Sequence, residues 1–149
     1  MSHLRVCRDT PVSPQIPRGM AHMVVAMEPT EALRVLKDYG NPEVRVICNT
    51  RPIYPVGVIC GEQRYPSPED LVRWIRSLSK EAWFIDATAE GMHLGNPVLG
   101  NIVTIGALAA LGALPLKREE MEAVLSVKMD ADKVKLNLCA FDRGAAMIL

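Results

Sequence analysis

The stretch from His22 to Asn49, HMVVAMEPTEALRVLKDYGNPEVRVICN, reads as strand, helix, strand. Its first run is continuously apolar to Met27 and is stopped by Glu28-Pro29, a pair that ends a strand and suits the first turn of a helix. Ala32, Leu33, Leu36 and Tyr39 then recur at helical spacing as far as Gly40, a residue type that commonly closes helices. Val44 to Cys48 is rich in β-branched residues, the composition of a strand. Strands that are apolar throughout and joined by helices belong to a parallel sheet covered on both faces, so the expected fold class is α/β, a three-layer α/β/α domain.

Working outward, Ser67 precedes Pro68, Glu69 and Asp70, an N-cap followed by proline and acid in the first turn, with Leu71, Val72, Ile75 and Leu78 as the buried stripe. Trp83 to Ile85 follows as a strand ending at Asp86, and Val56 to Cys60 reads as a further short strand. Towards the N-terminus, Leu4 and Val6 alternate with Arg5 and Cys7 like one more strand, before Pro11, Pro14 and Pro17 impose an extended crossing. From Thr88 the pattern becomes helical: one helix to His93, one over Asn101–Leu114, one over Arg118–Ser126, and a terminal helix whose face carries Val134, Leu138, Phe141 and Ala145. A single domain over residues 1–149 is expected from this length.

Composition excludes several classes. Seventeen Lys plus Arg balance seventeen Asp plus Glu, which leaves no basic surplus for nucleic acid or an anionic membrane. The uncharged Val98–Leu114 run is interrupted by Gly100, Asn101, Thr104, Gly106 and Gly112 and bracketed by Pro97 and Pro115, so it reads as a buried helix and not a membrane span. Its small-residue face, Gly106 with Ala110 and Ala109 with Ala113, offers a shallow groove for another backbone, from an internal sheet or a second subunit. Cys7, Cys48, Cys60 and Cys139 are far apart with no Cys-x-x-Cys pair, so no zinc or iron-sulfur motif is present. Cys48 and Cys139 are expected to be reduced core thiols, and with no secretory signal the cytoplasm is the expected location.

Glu28, Asn49 and Asp86 stand where strands run out, the place where open α/β sheets bind ligands, and are candidates to line one concave site. The same residue types also cap helices for local reasons. Gly91, Gly95 and Gly100 do not form a phosphate loop. Gly95-Asn96-Pro97 instead reads as a turn into a helix in which a buried Asn101 would need hydrogen-bond partners from a neighbouring strand end. No serine or histidine sits in a triad or elbow motif, and His22 and His93 read as structural.

Five ordered blocks go further than these patterns: VVAMEPTEALR (Val24–Arg34), ICNTRPI (Ile47–Ile53), Asp86-Ala87, Gly95-Asn96 with NIVTIGA (Asn101–Ala107), and NLCAF (Asn137–Phe141) with Gly144. Together they resemble the gamma-type subunit or domain of 2-oxoacid:ferredoxin oxidoreductases, from about Leu4 to the C-terminus. The loop from Asn49 to Tyr65-Pro66 looks most like the beta subunit of indolepyruvate oxidoreductase. The resemblance implies an assembly that decarboxylates a 2-oxoacid such as indolepyruvate or pyruvate to an acyl-coenzyme A and passes the electrons to ferredoxin. It implies that thiamine diphosphate and the iron-sulfur clusters sit in partner subunits. This chain is then a non-catalytic component near the coenzyme A entrance, with Glu28, Asn49, Asp86, Asn96, Asn101, Gly106 and Asn137 as ligand or interface candidates. Family members normally begin with a strand and a G-x-G-G-x-G turn, and this chain starts after that unit, so an N-terminally truncated domain with an unpaired strand edge and a tendency to associate is expected. His22, after Ala21, also stands where the family usually carries an acid. The competing reading is a stand-alone α/β small-ligand-binding or protein-interaction module without a redox role.

Overall fold

The computed structural model describes residues 1–8 and 11–148. Among them, strands β1 (Met23–Ala26), β2 (Arg45–Asn49) and β3 (Glu81–Ile85) alternate with and are followed by helices α1 (Pro29–Tyr39), α2 (Val56–Ile59), α3 (Pro68–Ser77), α4 (Ala87–His93), α5 (Gly100–Ala110), α6 (Arg118–Lys128) and α7 (Ala131–Ala146). The strands form one parallel sheet in the order β1-β2-β3, with Val24 opposite Val46 and Ala26 opposite Cys48. β2 is central, and Val46, Ile47, Cys48 and Asn49 are all buried although successive side chains point to opposite faces. Both faces of that strand are therefore covered, as the β-branched runs required.

The chain divides into two compact units, Met1–Cys48 with Pro52–Ala82, and Asn49–Arg51 with Trp83–Leu149. In the first, α1 lays Ala32 and Leu36 inward and α3 lays Leu71 and Ile75 inward, the stripes set by their helical spacing. Ser67 Oγ accepts from the Asp70 amide at 3.1 Å and starts α3 as an N-cap, while Leu78, at the far end of that stripe, is exposed. Two expectations for this unit are corrected. Leu4 and Val6 form no strand and are 67% and 61% exposed, so their alternation is not that of a sheet strand with one buried face. Val56–Ile59 is a helical turn: Pro55 fixes the entry, and the Ile59 and Cys60 amides close back onto the Pro55 and Val56 carbonyls at 3.1 and 2.8 Å.

In the second unit α4 to α7 pack on one another, and Met121, Leu125, Val134, Leu138 and Phe141 form a core joined by Ile102 and Ile105. Of the small-residue face of α5, Gly106 packs against α7, while Ala110 is exposed. A Cβ on Gly106 would fall 2.0 Å from the Phe141 carbonyl oxygen, and one on Gly144 would fall 1.8 Å from that of Val103, so the two helices meet backbone to backbone. α5 stops at Ala110 and not at Leu114 because Gly112 turns the chain with φ +61°. Asn101 is exposed, since α5 buries the face carrying Val103, Thr104, Gly106 and Ala107. Cys139 is exposed for the same reason on α7. Among the described residues no helix is long and apolar enough to cross a membrane.

Candidate functional site

The strand-end residues resolve into two polar corners, one in each unit. In a parallel sheet each strand delivers the chain to a helix whose first amides lack intrahelical partners, so a side-chain acceptor at that junction is already half committed to capping. Glu28, at the end of β1, is 3% exposed. Its Oε2 accepts from the Thr30 hydroxyl at 2.6 Å and the Glu31 amide at 2.9 Å, and its Oε1 accepts from the Tyr65 hydroxyl. Tyr54 meets the Tyr65 ring edge to face, with centroids 5.0 Å apart.

Burial pushes the Glu28 carboxyl up, but the hydrogen bonds from Thr30, Tyr65 and the Glu31 amide outweigh it and hold the group below the usual glutamate value. Cys48, fully buried, has its thiol pushed up to about 12 by burial and by the Glu28 charge. Tyr65 is raised well above the ordinary phenol range by burial and by its bond to Glu28. At neutral pH this corner therefore holds a carboxylate, a phenol and a thiol, with both carboxylate oxygens engaged; it contains no available base and no activated nucleophile. Because the folded-state pKa of Glu28 is depressed, its contribution to stability is present above the ordinary glutamate value and is lost as the pH falls through the lowered one. Glu28→Gln is expected to be less stable than the parent near pH 7, with the gap narrowing below about pH 4.5, the usual value; acid titration of the urea midpoints of both proteins checks this, and parallel curves would contradict it.

In the second unit Asn49 donates from Nδ2 to Thr88 Oγ1 at 2.9 Å and accepts from the Thr88 amide at 3.4 Å, while the Thr50 amide reaches the Ile85 carbonyl at 2.9 Å. Asp86 caps α4 by accepting from the Ala89 amide at 2.9 Å. Asn49, through Thr88, and Asp86, through Ala89, thus each tie to the first turn of α4. The other candidates are dispersed. Asn96 caps the 3-10 turn Pro97–Leu99 by accepting from the Val98 amide at 3.0 Å. Asn101 points to solvent and has no strand-end tie. Gly106 sits in the α5–α7 crossing. Asn137 bonds back to the Lys133 carbonyl at 2.8 Å within its own helix. Tyr65 and Thr88, which complete the two corners, were not singled out by sequence, since they join partners 37 and 39 residues away with no local pattern to mark them.

Neither corner gathers donors for an iron-sulfur cluster. Among the described residues no three His, Cys, Asp or Glu side chains converge on one point, and Cys7, Cys60 and Cys139 are exposed while Cys48 is buried. The residues described do not fit a cluster. A groove of about 310 Å³ runs beside β1 in the first unit, lined by Val25, Met27, Val35 and Tyr39 with Glu31 at its side. None of the seven candidates lines it.

"Indolepyruvate oxidoreductase subunit IorB" of Archaeoglobus fulgidus is 32% identical over 132 residues, covering 89% of this chain and 65% of that protein. The protein of the same name from Pyrococcus horikoshii is 34% identical over 130 residues, covering 87% of this chain and 64% of its own length. The chain thus spans a little under two thirds of these relatives. The gamma subunit of the keto/oxoacid ferredoxin oxidoreductase of Geobacter sulfurreducens shares the fold, with a TM-score of 0.56 at 17% identity over 85% of this chain and 63% of that one. A model of the pyruvate ferredoxin/flavodoxin oxidoreductase family matches residues 1–147, from the N-terminal arm through the last turn of α7, and the chain belongs to that family.

Proposed function

We propose that this chain is a non-catalytic subunit of a 2-oxoacid:ferredoxin oxidoreductase that converts a 2-oxoacid, indolepyruvate or pyruvate, to an acyl-coenzyme A in the cytoplasm. The observation that carries the reading is the match to the family along residues 1–147 together with relatives named as indolepyruvate oxidoreductase subunits. The chemistry of the corners supports a supporting role: both acidic strand-end residues are spent on helix caps, and the one buried thiol is held protonated. Thiamine diphosphate, the iron-sulfur clusters and the coenzyme A pocket are assigned to partner subunits, which also meet ferredoxin. When bound there, thiamine diphosphate supplies the carbanion-stabilising chemistry of decarboxylation.

The test is isolation of the tagged full chain from its own cells. We expect a larger polypeptide to accompany it in fixed ratio and the complex to reduce a dye with a 2-oxoacid only when thiamine diphosphate and coenzyme A are present. Recovery of the chain alone, carrying a small ligand and inert towards 2-oxoacids, would replace this reading with that of a stand-alone module.

A further inference from the structure

The segment Pro52–Pro66 is unusually self-contained. Its amides close on its own carbonyls: Ile59 on Pro55, Cys60 on Val56, and both Glu62 and Gln63 on Gly57, at 2.8 to 3.1 Å. Among the described residues, the bond from the Tyr65 hydroxyl to Glu28 is the one hydrogen bond that joins this segment to the rest of the first unit. Ile53, Tyr54, Val56 and Ile59 are exposed, so packing adds little beyond the half-buried Val58 and Tyr65. A compact loop with closed internal bonding and one external tie is the kind of element that opens locally at a free energy below that of global unfolding.

We propose that Pro52–Pro66 is a strap over the Glu28–Cys48 corner, latched by the Tyr65–Glu28 hydrogen bond and able to lift as a unit while the body of the first unit stays folded. The strap reaches the corner at Tyr65, whose hydroxyl sits on Glu28, two residues beyond the Ala26 that stands opposite Cys48 in the sheet. When it lifts, the Glu28 carboxylate loses one donor and the thiol at the end of β2 gains access to solvent. The latched state hides both. Neutral solution holds the latch shut, because the carboxylate is charged and the phenol protonated on either side of pH 7. Opening is thus governed by whatever competes for Glu28 or seats on the exposed apolar crest, and the device does not depend on whether the chain works within an assembly.

The reporter is Cys48, which is fully buried. The full chain is exposed to a water-soluble maleimide under native conditions, and modification of each cysteine is followed by peptide mass spectrometry, with the exposed Cys60 as an internal control. Tyr65→Phe keeps the ring and removes the latch. It should raise the rate at Cys48 on the order of tenfold to a hundredfold, the equilibrium factor for loss of a hydrogen bond to a charged group, with Cys60 unchanged. An unchanged Cys48 rate overturns the proposal. If Tyr65→Phe does not fold, the parent decides the matter through the urea dependence of its Cys48 rate. A slope well below that of global unfolding supports a local lift, and an equal slope overturns it.

Discussion

Gly144→Ala is expected to lose about 3 kcal/mol of stability, the upper part of the range for overpacking, and to melt roughly 10 °C below the parent. The added methyl would lie 1.8 Å from the Val103 carbonyl oxygen, and backbone cannot rotate out of the way as a side chain can. α5 and α7 must separate, and Val103, Leu138 and Phe141, all buried near the crossing, lose contact with them. Calorimetry with Ala110→Leu as the control distinguishes crowding at the seam from a general loss of helix stability, since Ala110 is an exposed position of α5 and should change by less than about 0.5 kcal/mol. A Gly144→Ala protein that melts with the parent would mean that the helices do not cross where the structure has them.

Ile47→Ala carries an effect of comparable size, about 3 to 4 kcal/mol within the range found for fully buried aliphatic truncations. Ile47 has no exposure, lies on the central strand, and is flanked by Val46 and Cys48, which point to the opposite face and are equally buried. The neighbours on both faces are held by parallel pairing and helix cover, so the space left by three carbons cannot collapse readily. Urea titration should show a lower midpoint with an unchanged slope. A loss under about 1 kcal/mol would show that the Ile47 face of the sheet is open to solvent.

The elements that announced themselves in the sequence are those built on local physics. Glu28-Pro29, Ser67-Pro68 and Asp86 mark helix starts because each supplies an acceptor for amides two or three residues on, and all three do so in the structure. Val44–Cys48 was legible as a strand because β-branched side chains favour a pleated, buried surface. The same rule misled at Val56–Ile59, where a proline sets the entry and the following amides close into a helical turn. At Leu4 and Val6 alternation alone did not make a strand. Of the candidate site, the capping positions were legible and their completion was not. Tyr65 with Glu28 and Thr88 with Asn49 are long-range pairings, fixed only once the chain has folded. Of the small-residue face on α5, Gly106 proved to be a point of close approach, and its occupant could not be read, because a backbone filling the gap leaves no side-chain signature of its own.

That reciprocal crossing restricts how this half of the molecule can drift over generations. Gly106 faces Phe141 and Gly144 faces Val103, so enlarging either glycine cannot be offset by shrinking its opposite number, whose obstructing atom is a carbonyl common to every amino acid. Lineages are therefore free to exchange the outward residues of both helices while these two positions remain closed to innovation.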